Sequence, residues 1–537
     1  MKRNVFLVTA LAAGIALTGC NVADQDGDGT DSRVGLNGLA VDGRVAGGKV
    51  WVDSNNNYEV DDFEPYAFTD SDGYYSYNPL TNTNYCTLPV ISDEYQRHCL
   101  VYGSTVNSMI VRIKGGIDLS TGERLKGLMA MSSSISESAE ISMTPLVLSP
   151  ITTLLSAAPT ESAQNSIRSA LGITSNADLR LDFSTASDDT SKRFLANAVA
   201  VQTMIDVLAN SADDGITEAQ AQRSIIDQIS LSVSTNLTAP TSFNSATLAE
   251  MVSTVSTNST KQTSIASRLE ALNSEINKIS TAINLDEVNA NLKAAEVISQ
   301  LVKSEANAEH SSEASAAAAV LDSGMTDLVG LLETQFSSDT TTEFDITSIT
   351  RELIEAGEDD PTFGSDISAV INSAIDESVL STETSWGGEW FVLQPSEEYA
   401  EDVAAGSYVA LYLEGDVDSK SGSISVCVNA AAADSTDANE ALTNEYMTGS
   451  WTKISDGVVT LVIDFEGQEF EGTMKAKDST DANGNPFFRF STDIEDIDED
   501  GDAISNQVGV IAISYSDVPD SSDDCESDID AELSLVL

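Results

Sequence analysis

Positive charge is scarce in this chain. Of its 537 residues only 26 are Lys or Arg, against 86 Asp or Glu, and the formal net charge of −60 repels nucleic acid and anionic lipid surfaces alike. Histidine is rarer still, with two in all, His98 and His310. Nucleophilic catalysis of the Ser-His or Cys-His kind needs an imidazole beside its nucleophile. His98 stands next to Cys99 in a cysteine-closed loop and His310 lies among Ser, Glu and Ala, so both read as surface residues. No Gly-x-Ser-x-Gly elbow occurs. With so few histidines and no CxxC, a Cys/His zinc site has little to draw on. Past residue 19 no apolar run approaches the ~20 residues that span a bilayer. Gly43 to Lys49 copies the glycine and lysine spacing of a phosphate-binding loop, but Val50 stands where Ser or Thr is needed and a strand follows where a helix N-terminus is needed. Nucleotide binding is excluded on those grounds. Acidic pairs arise by chance among so many carboxylates, and nothing singles out two for glycoside hydrolysis.

What is present begins at the N-terminus. Lys2 and Arg3 precede an apolar run from Val5 to Leu17, and Leu17-Thr18-Gly19-Cys20 follows. A short basic end, an apolar stretch too brief to span and small residues before a cut make an export signal over 1–19. With Cys20 directly after Gly19 the segment resembles a bacterial lipoprotein signal with its lipobox. That resemblance implies cleavage before Cys20, acylation of its thiol and amine (palmitate among the acyl chains), and an extracytoplasmic protein anchored by lipid. Asn21, in place of an aspartate, implies by the same resemblance the outer membrane of a Gram-negative cell. Residues 20–34 are polar and rich in Gly and Asp, a flexible tether; Asp24, Asp26 and Asp28 have no glutamate to close a calcium loop. The other four cysteines fall as a close pair, Cys86 and Cys99, and a distant pair, Cys427 and Cys525, which predicts two disulfides in an oxidising compartment.

Residues 35–132 read as short strands, among them Gly48 to Val52 and Gly73 to Tyr77. Between these two lies Asp53-Ser54-Asn55-Asn56-Asn57-Tyr58-Glu59-Val60-Asp61-Asp62-Phe63-Glu64. Counted from Asp53, oxygen-bearing side chains stand at positions 1, 3, 5, 9 and 12 (Asp53, Asn55, Asn57, Asp61, Glu64), and Glu59 offers its backbone carbonyl at position 7. A hard cation takes six to eight oxygens, two of them from a closing glutamate, so calcium is the cofactor this spacing predicts. Tyr58 occupies position 6, where glycine is usual because the turn needs positive φ. With Asp42-Gly43, Gly47-Gly48, Glu64-Pro65 and Thr69 to Ser76 around it, the stretch resembles the prealbumin-like, calcium-binding B-type modules of bacterial surface proteins and adhesins. Gly115 to Gly122 and the segments Thr144-Pro145-Leu146 and Ser149 to Leu154 are similar to what often follows such modules. The resemblance runs from about Gly35 to Asn210 and implies a small β-sandwich in an adhesive or scaffolding setting, with no enzymatic activity.

Residues 140–380 carry apolar residues at helical spacing and few aromatics. Ile265, Leu269, Leu272, Ile276, Ile279 and Ile283 step by four and three, a heptad seam too short for a free coiled coil and better suited to a hairpin inside a bundle. Asn284 reads as a break and a new N-cap. From 383 to 537 the pattern alternates as in an antiparallel sandwich or barrel. Three of the four Trp lie there. Trp386 and Trp390 are either core plugs or aromatic faces for a sugar, with the plug the commoner use of a Trp at the entrance to a β domain. Asp496, Asp498 and Asp500 repeat the start of a calcium loop, but Gln507 holds its last position.

The expected fold is therefore multidomain α+β: a small N-terminal β-sandwich, a helical middle domain and a C-terminal antiparallel β-sandwich or barrel. The expected function is a non-catalytic, lipid-anchored protein of the cell outer membrane, on its surface or periplasmic face, serving adhesion, matrix attachment or scaffolding. Its partners would be lipid through Cys20 and an envelope protein or extracellular polysaccharide, with no nucleic acid and no nucleotide. Two alternatives stand beside it: an exported glycan-binding protein or hydrolase with its site in the C-terminal β domain, and an envelope assembly factor that holds a client with its helices.

Overall fold

The computed structural model describes residues 34–513 apart from internal segments, the longest being 133–145, 394–407 and 431–442. The signal, Cys20, the tether, Asp62, His310, Asp498, Asp500 and Cys525 lie outside the described residues.

The N-terminal part builds β1 (Val34–Gly35), β2 (Gly38–Ala40), β3 (Val45–Ala46), β4 (Lys49–Asp53), β5 (Tyr66–Phe68), β6 (Tyr74–Tyr75), β7 (Tyr77–Asn78), β8 (Thr83–Asn84), α1 (Asp93–His98), β9 (Val101–Tyr102), β10 (Ile110–Lys114), β11 (Ile117–Asp118), β12 (Met129–Ser132) and β13 (Leu146–Leu148). Its main sheet runs β12-β10-β4-β5, all antiparallel, and a second runs β13-β2-β6 with β13 parallel to β2. Period-two alternation divides β4 and β10 into two faces. Val50 and Val52, opposite Ile113 and Val111, share a core with Leu36, Tyr75, Met129 and Leu148. The other face carries Trp51 opposite Arg112, and here Trp51, Tyr58 and Ala130 belong to the core of the helical part. One apolar core thus continues from the sheet into the helices. At Gly116, φ is +79° and a Cβ would stand 2.4 Å from the Gly48 nitrogen, so only glycine lets these two turns touch.

The helical part follows as α2 (Pro150–Ala157), α3 (Glu161–Leu171), α4 (Asp189–Ala209), α5 (Glu218–Asn236), α6 (Ser245–Val252), α7 (Ser259–Ile276), α8 (Leu285–Ala306), α9 (Ser311–Asp322), α10 (Met325–Ser338), α11 (Ile346–Asp359) and α12 (Ile367–Glu377). Ser149 caps α2 with Pro150 at its first turn. The next turn joins it to the sheet: the Thr152 hydroxyl donates to the Ala130 carbonyl at 2.8 Å, and the Thr153 hydroxyl accepts the Ala130 N–H at 2.7 Å. Ile265, Leu269, Leu272, Ile276 and Ile279 of the heptad seam are buried, whereas Ile283 is 86% exposed. A 3-10 turn over Asn277–Thr281 ends the seam before Ile283, and Asn284 caps α8 by accepting the Glu287 N–H at 2.8 Å. Among the described residues no single helix is long and apolar enough to cross a membrane.

Toward the C-terminus lie β14 (Glu389–Leu393), β15 (Tyr408–Leu413), β16 (Ser421–Ala430), β17 (Thr443–Ser455), β18 (Val458–Phe465), β19 (Gln468–Thr480), β20 (Pro486–Thr492), β21 (Ile494–Ile497), β22 (Ala503–Asn506) and β23 (Val510–Ile513). Eight of them form an antiparallel sheet in the order β20-β19-β18-β17-β16-β15-β14-β23, curled as a half-barrel whose two edge strands approach each other. Trp386, Leu411, Leu413, Ile424, Val426, Trp451, Leu461 and Met474 pack on one face. The opposite, polar face is also buried at Thr452, Thr460, Thr473 and Lys475. It is covered by the rest of the chain. Arg97 of α1 donates to the Trp451 carbonyl at 3.2 Å and to the Thr452 hydroxyl at 2.8 Å, and the Ser455 hydroxyl donates to Glu343 at 2.6 Å. The molecule is thus a mixed α+β fold of several antiparallel sheets and about a dozen helices.

Candidate cation loop

Asp53 ends β4 and is 3% exposed. Its Oδ1 accepts the N–H groups of Asn56 at 2.5 Å and Asn57 at 3.3 Å, and its Oδ2 accepts the Tyr58 N–H at 3.3 Å. The Asn55 side-chain oxygen accepts the Asn57 N–H and that of Asn57 accepts the Glu59 N–H, each at 3.0 Å. These Asx turns wind the backbone round its own side chains. The side-chain amides of Asn55 and Asn57 converge on Asp61 Oδ2 at 2.6 and 3.1 Å. Glu64, 4% exposed, closes the loop: its Oε1 accepts the N–H and hydroxyl of Ser54 at 2.6 and 2.8 Å, and its Oε2 accepts the Asp61 N–H at 3.4 Å. The fold therefore interlinks Asp53, Asn55, Asn57, Asp61 and Glu64, while the Glu59 side chain points to solvent. Tyr58 has φ +74°, the left-handed backbone that position 6 of such a loop requires.

Two arginines complete the site, and neither stood out in the sequence. Arg112 on β10, 3% exposed, donates from Nε to Asp53 Oδ2 and from Nη2 to Asn56 Oδ1 at 2.5 Å. The Tyr58 ring lies under two guanidinium groups, with Arg112 3.7 Å and Arg223 of α5 5.2 Å from its centroid, an arrangement in which ring quadrupole and cation attract. Asp227, one turn further along α5, has its carboxyl raised by burial, an effect opposed by Arg223 and Arg112. The one sequence signal was Arg112 itself, a charge between Val111 and Ile113 on a strand with two buried faces.

Other acidic turns are spoken for. Asp70, 5% exposed, accepts the N–H groups of Asp72 and Tyr74, both at 2.9 Å, the Asn78 amide at 2.8 Å and the Tyr85 hydroxyl at 2.7 Å. That saturates it as the organiser of the turn after β5. Asp496 sits on β21 opposite Ile504. Among the described residues no group of three or more His, Cys, Asp or Glu is spaced to hold a metal ion; two of the five oxygen-bearing side chains in the loop at Asp53 are asparagines.

One sequence expectation changes and three gain detail. His98 is not a surface residue: it is 6% exposed, its Nδ1 bonds the Phe68 carbonyl at 2.8 Å, and burial lowers its pKa to about 4. The disulfide beside it ties the turn at Tyr85–Thr87 to the end of α1, and α1 packs against β5. Trp386 is 1% exposed within the half-barrel core and presents no open face to a sugar; the side chain of Trp390, on β14, lies outside the described residues. Cys86 and Cys99 form a disulfide with Cα atoms 5.0 Å apart. Cys427 is also disulfide-bonded, and it is 1% exposed on the polar face of the sheet that Ser425, 2% exposed, shares.

Compared with family models, with curated proteins and with solved structures, the chain matches none.

Proposed function

We propose that this chain is a non-catalytic envelope protein, held in the outer membrane by acyl chains on Cys20, whose N-terminal β-sandwich is stabilised by calcium at Asp53–Glu64. Its helical part and its C-terminal β-sandwich or barrel offer the surface for adhesion, matrix attachment or scaffolding, toward an envelope protein or an extracellular polysaccharide. The reading rests on one observation. Tyr58 takes φ +74° at the position where such loops use glycine, so the backbone pays strain to keep this turn around five interlinked oxygen-bearing side chains. Asp53, Asn55, Asn57, Asp61 and Glu64, with the Glu59 carbonyl, would hold the ion, and the ion would supply positive charge to a chain that has little.

The test is calorimetric titration of the full chain with calcium, beside Asp53→Ala and Glu64→Ala, together with melts in calcium and in chelator. A ligand bound only by the folded state stabilises it by about 2.7 kcal/mol at a hundred times its Kd. Uptake and a higher melt in the wild type, lost in both variants, is the expected result; indifference to calcium overturns the assignment. For the anchor, cells fed an alkyne-tagged palmitate should label the wild type and leave Cys20→Ala unlabelled.

A further inference from the structure

The loop already holds a cation of its own. Asp53 and Arg112 are each 3% exposed, and a carboxylate so buried needs a partner charge. Arg112 provides it, bridging the loop with Nε on Asp53 and Nη2 on Asn56, the planar fork being suited to bridge two acceptors. A divalent ion on Asp53 would stand beside this guanidinium. Two positive charges at that range repel strongly where water is excluded, so one of them must give up the carboxylate.

Arg112 has another acceptor within electrostatic reach. Asp227 of α5 interacts with both Arg223 and Arg112, and the same two guanidiniums lie over the Tyr58 ring, 5.2 and 3.7 Å from its centroid. We propose that Arg112 is the resident cation of this loop and exchanges with calcium: at low calcium it holds Asp53, and when calcium arrives it turns from the loop toward Asp227 on α5. The loop is then ordered in both states, and calcium changes how the sheet grips the helical part. This rests on the calcium reading above and adds to it the regulation of that site.

The experiment compares the full-length wild type with Arg112→Gln, Arg112→Lys and Asp227→Asn. Calcium calorimetry reads the competition, and hydrogen exchange of residues 54–61 in chelator reads what holds the loop without metal. Arg112→Gln is expected to bind calcium about tenfold more tightly than the wild type, a difference of the size that one lost charge produces, and to lose amide protection in chelator that calcium restores. Asp227→Asn is expected to bind more weakly, since the displaced guanidinium then has no acceptor. Arg112→Lys keeps the charge without the fork and falls between wild type and Arg112→Gln; it carries the comparison if the glutamine variant does not fold. Equal calcium affinity in wild type and the Arg112 variants overturns the exchange while leaving the calcium site standing. No uptake by any of them overturns the calcium reading and the exchange together.

Discussion

Lys475 places its ammonium 2.8 Å from a carboxylate oxygen of Glu123, a residue 352 positions earlier in the chain, and 3.0 Å from Asp345. The three side chains are 2%, 3% and 1% exposed. They come from β19, from the turn after β11 and from the residue before α11. The start of α11 adds donors to the cluster: Glu123 also accepts the Ile346 N–H at 3.1 Å and the Thr347 hydroxyl at 2.7 Å. All three parts of the molecule are joined at this point.

Lys475→Met should destabilise the whole fold by about 3–5 kcal/mol, because it removes the ammonium that two buried carboxylates share. Adding Glu123→Gln should recover part of that loss, since one uncompensated charge goes with it. Chemical denaturation of the single and double variants decides; a cost below about 1 kcal/mol, the value of an exposed pair, would show that the junction is open to water.

His98 makes stability fall in acid. Its folded-state pKa is lowered to about 4 by burial, while in the unfolded chain it titrates near ~6.5. The folded state thus binds fewer protons, and stability present above pH ~6.5 is lost progressively as the pH falls from there through about 4, by roughly 3 kcal/mol in all. His98→Gln keeps a donor for the Phe68 carbonyl and should flatten that slope in denaturation curves taken between these limits. An unchanged slope would place the titration elsewhere.

Asp42 acts with the opposite sign. It is 7% exposed, its Oδ1 has no hydrogen-bond partner among the described residues, and burial, then Asp118, then Glu296 raise its pKa well above the ordinary carboxylate value. A carboxyl with a raised folded pKa costs stability as the pH climbs above its unfolded value of ~3.9. Asp42→Asn should stabilise the protein at neutral pH, and the gain should vanish near pH 3. Melting both proteins at the two pH values tests this; a loss at neutral pH would mean that the charge is needed.

Reducing the Cys86–Cys99 bridge, which closes a span of 13 residues, should cost about 3 kcal/mol through the freed unfolded chain. It should also move His98 back toward its ordinary pKa, readable as a shift of its ring resonances on adding reductant. A ring still titrating near 4 after reduction would show that packing alone holds it.

Much of the local structure was legible in advance because it depends on neighbours in sequence. Asn284 starts a helix after the heptad seam where the cap rule puts it, and the alternation of Val459, Leu461 and Ile463 makes a strand. The Asp53–Glu64 spacing was read as a calcium loop, and what the structure shows there is a loop wound on its own oxygens. Ile283 fitted the seam by count alone, and a 3-10 turn just before it points it into water.

The chain's own order of residues determined its elements, its caps, its acidic character and the spacing of its oxygen-rich loop, since each follows from contacts within a few residues. Only the tertiary structure decided which charges would be buried. Arg112 meets Asp53 across two strands, Arg223 reaches Tyr58 from α5, and Lys475 finds Glu123 and Asp345 from a face that reads as solvent-exposed. Period-two alternation says that one face of a strand is polar; whether that face meets water or another part of the protein is set by packing between segments hundreds of residues apart, and a polar side chain looks the same in sequence in either case.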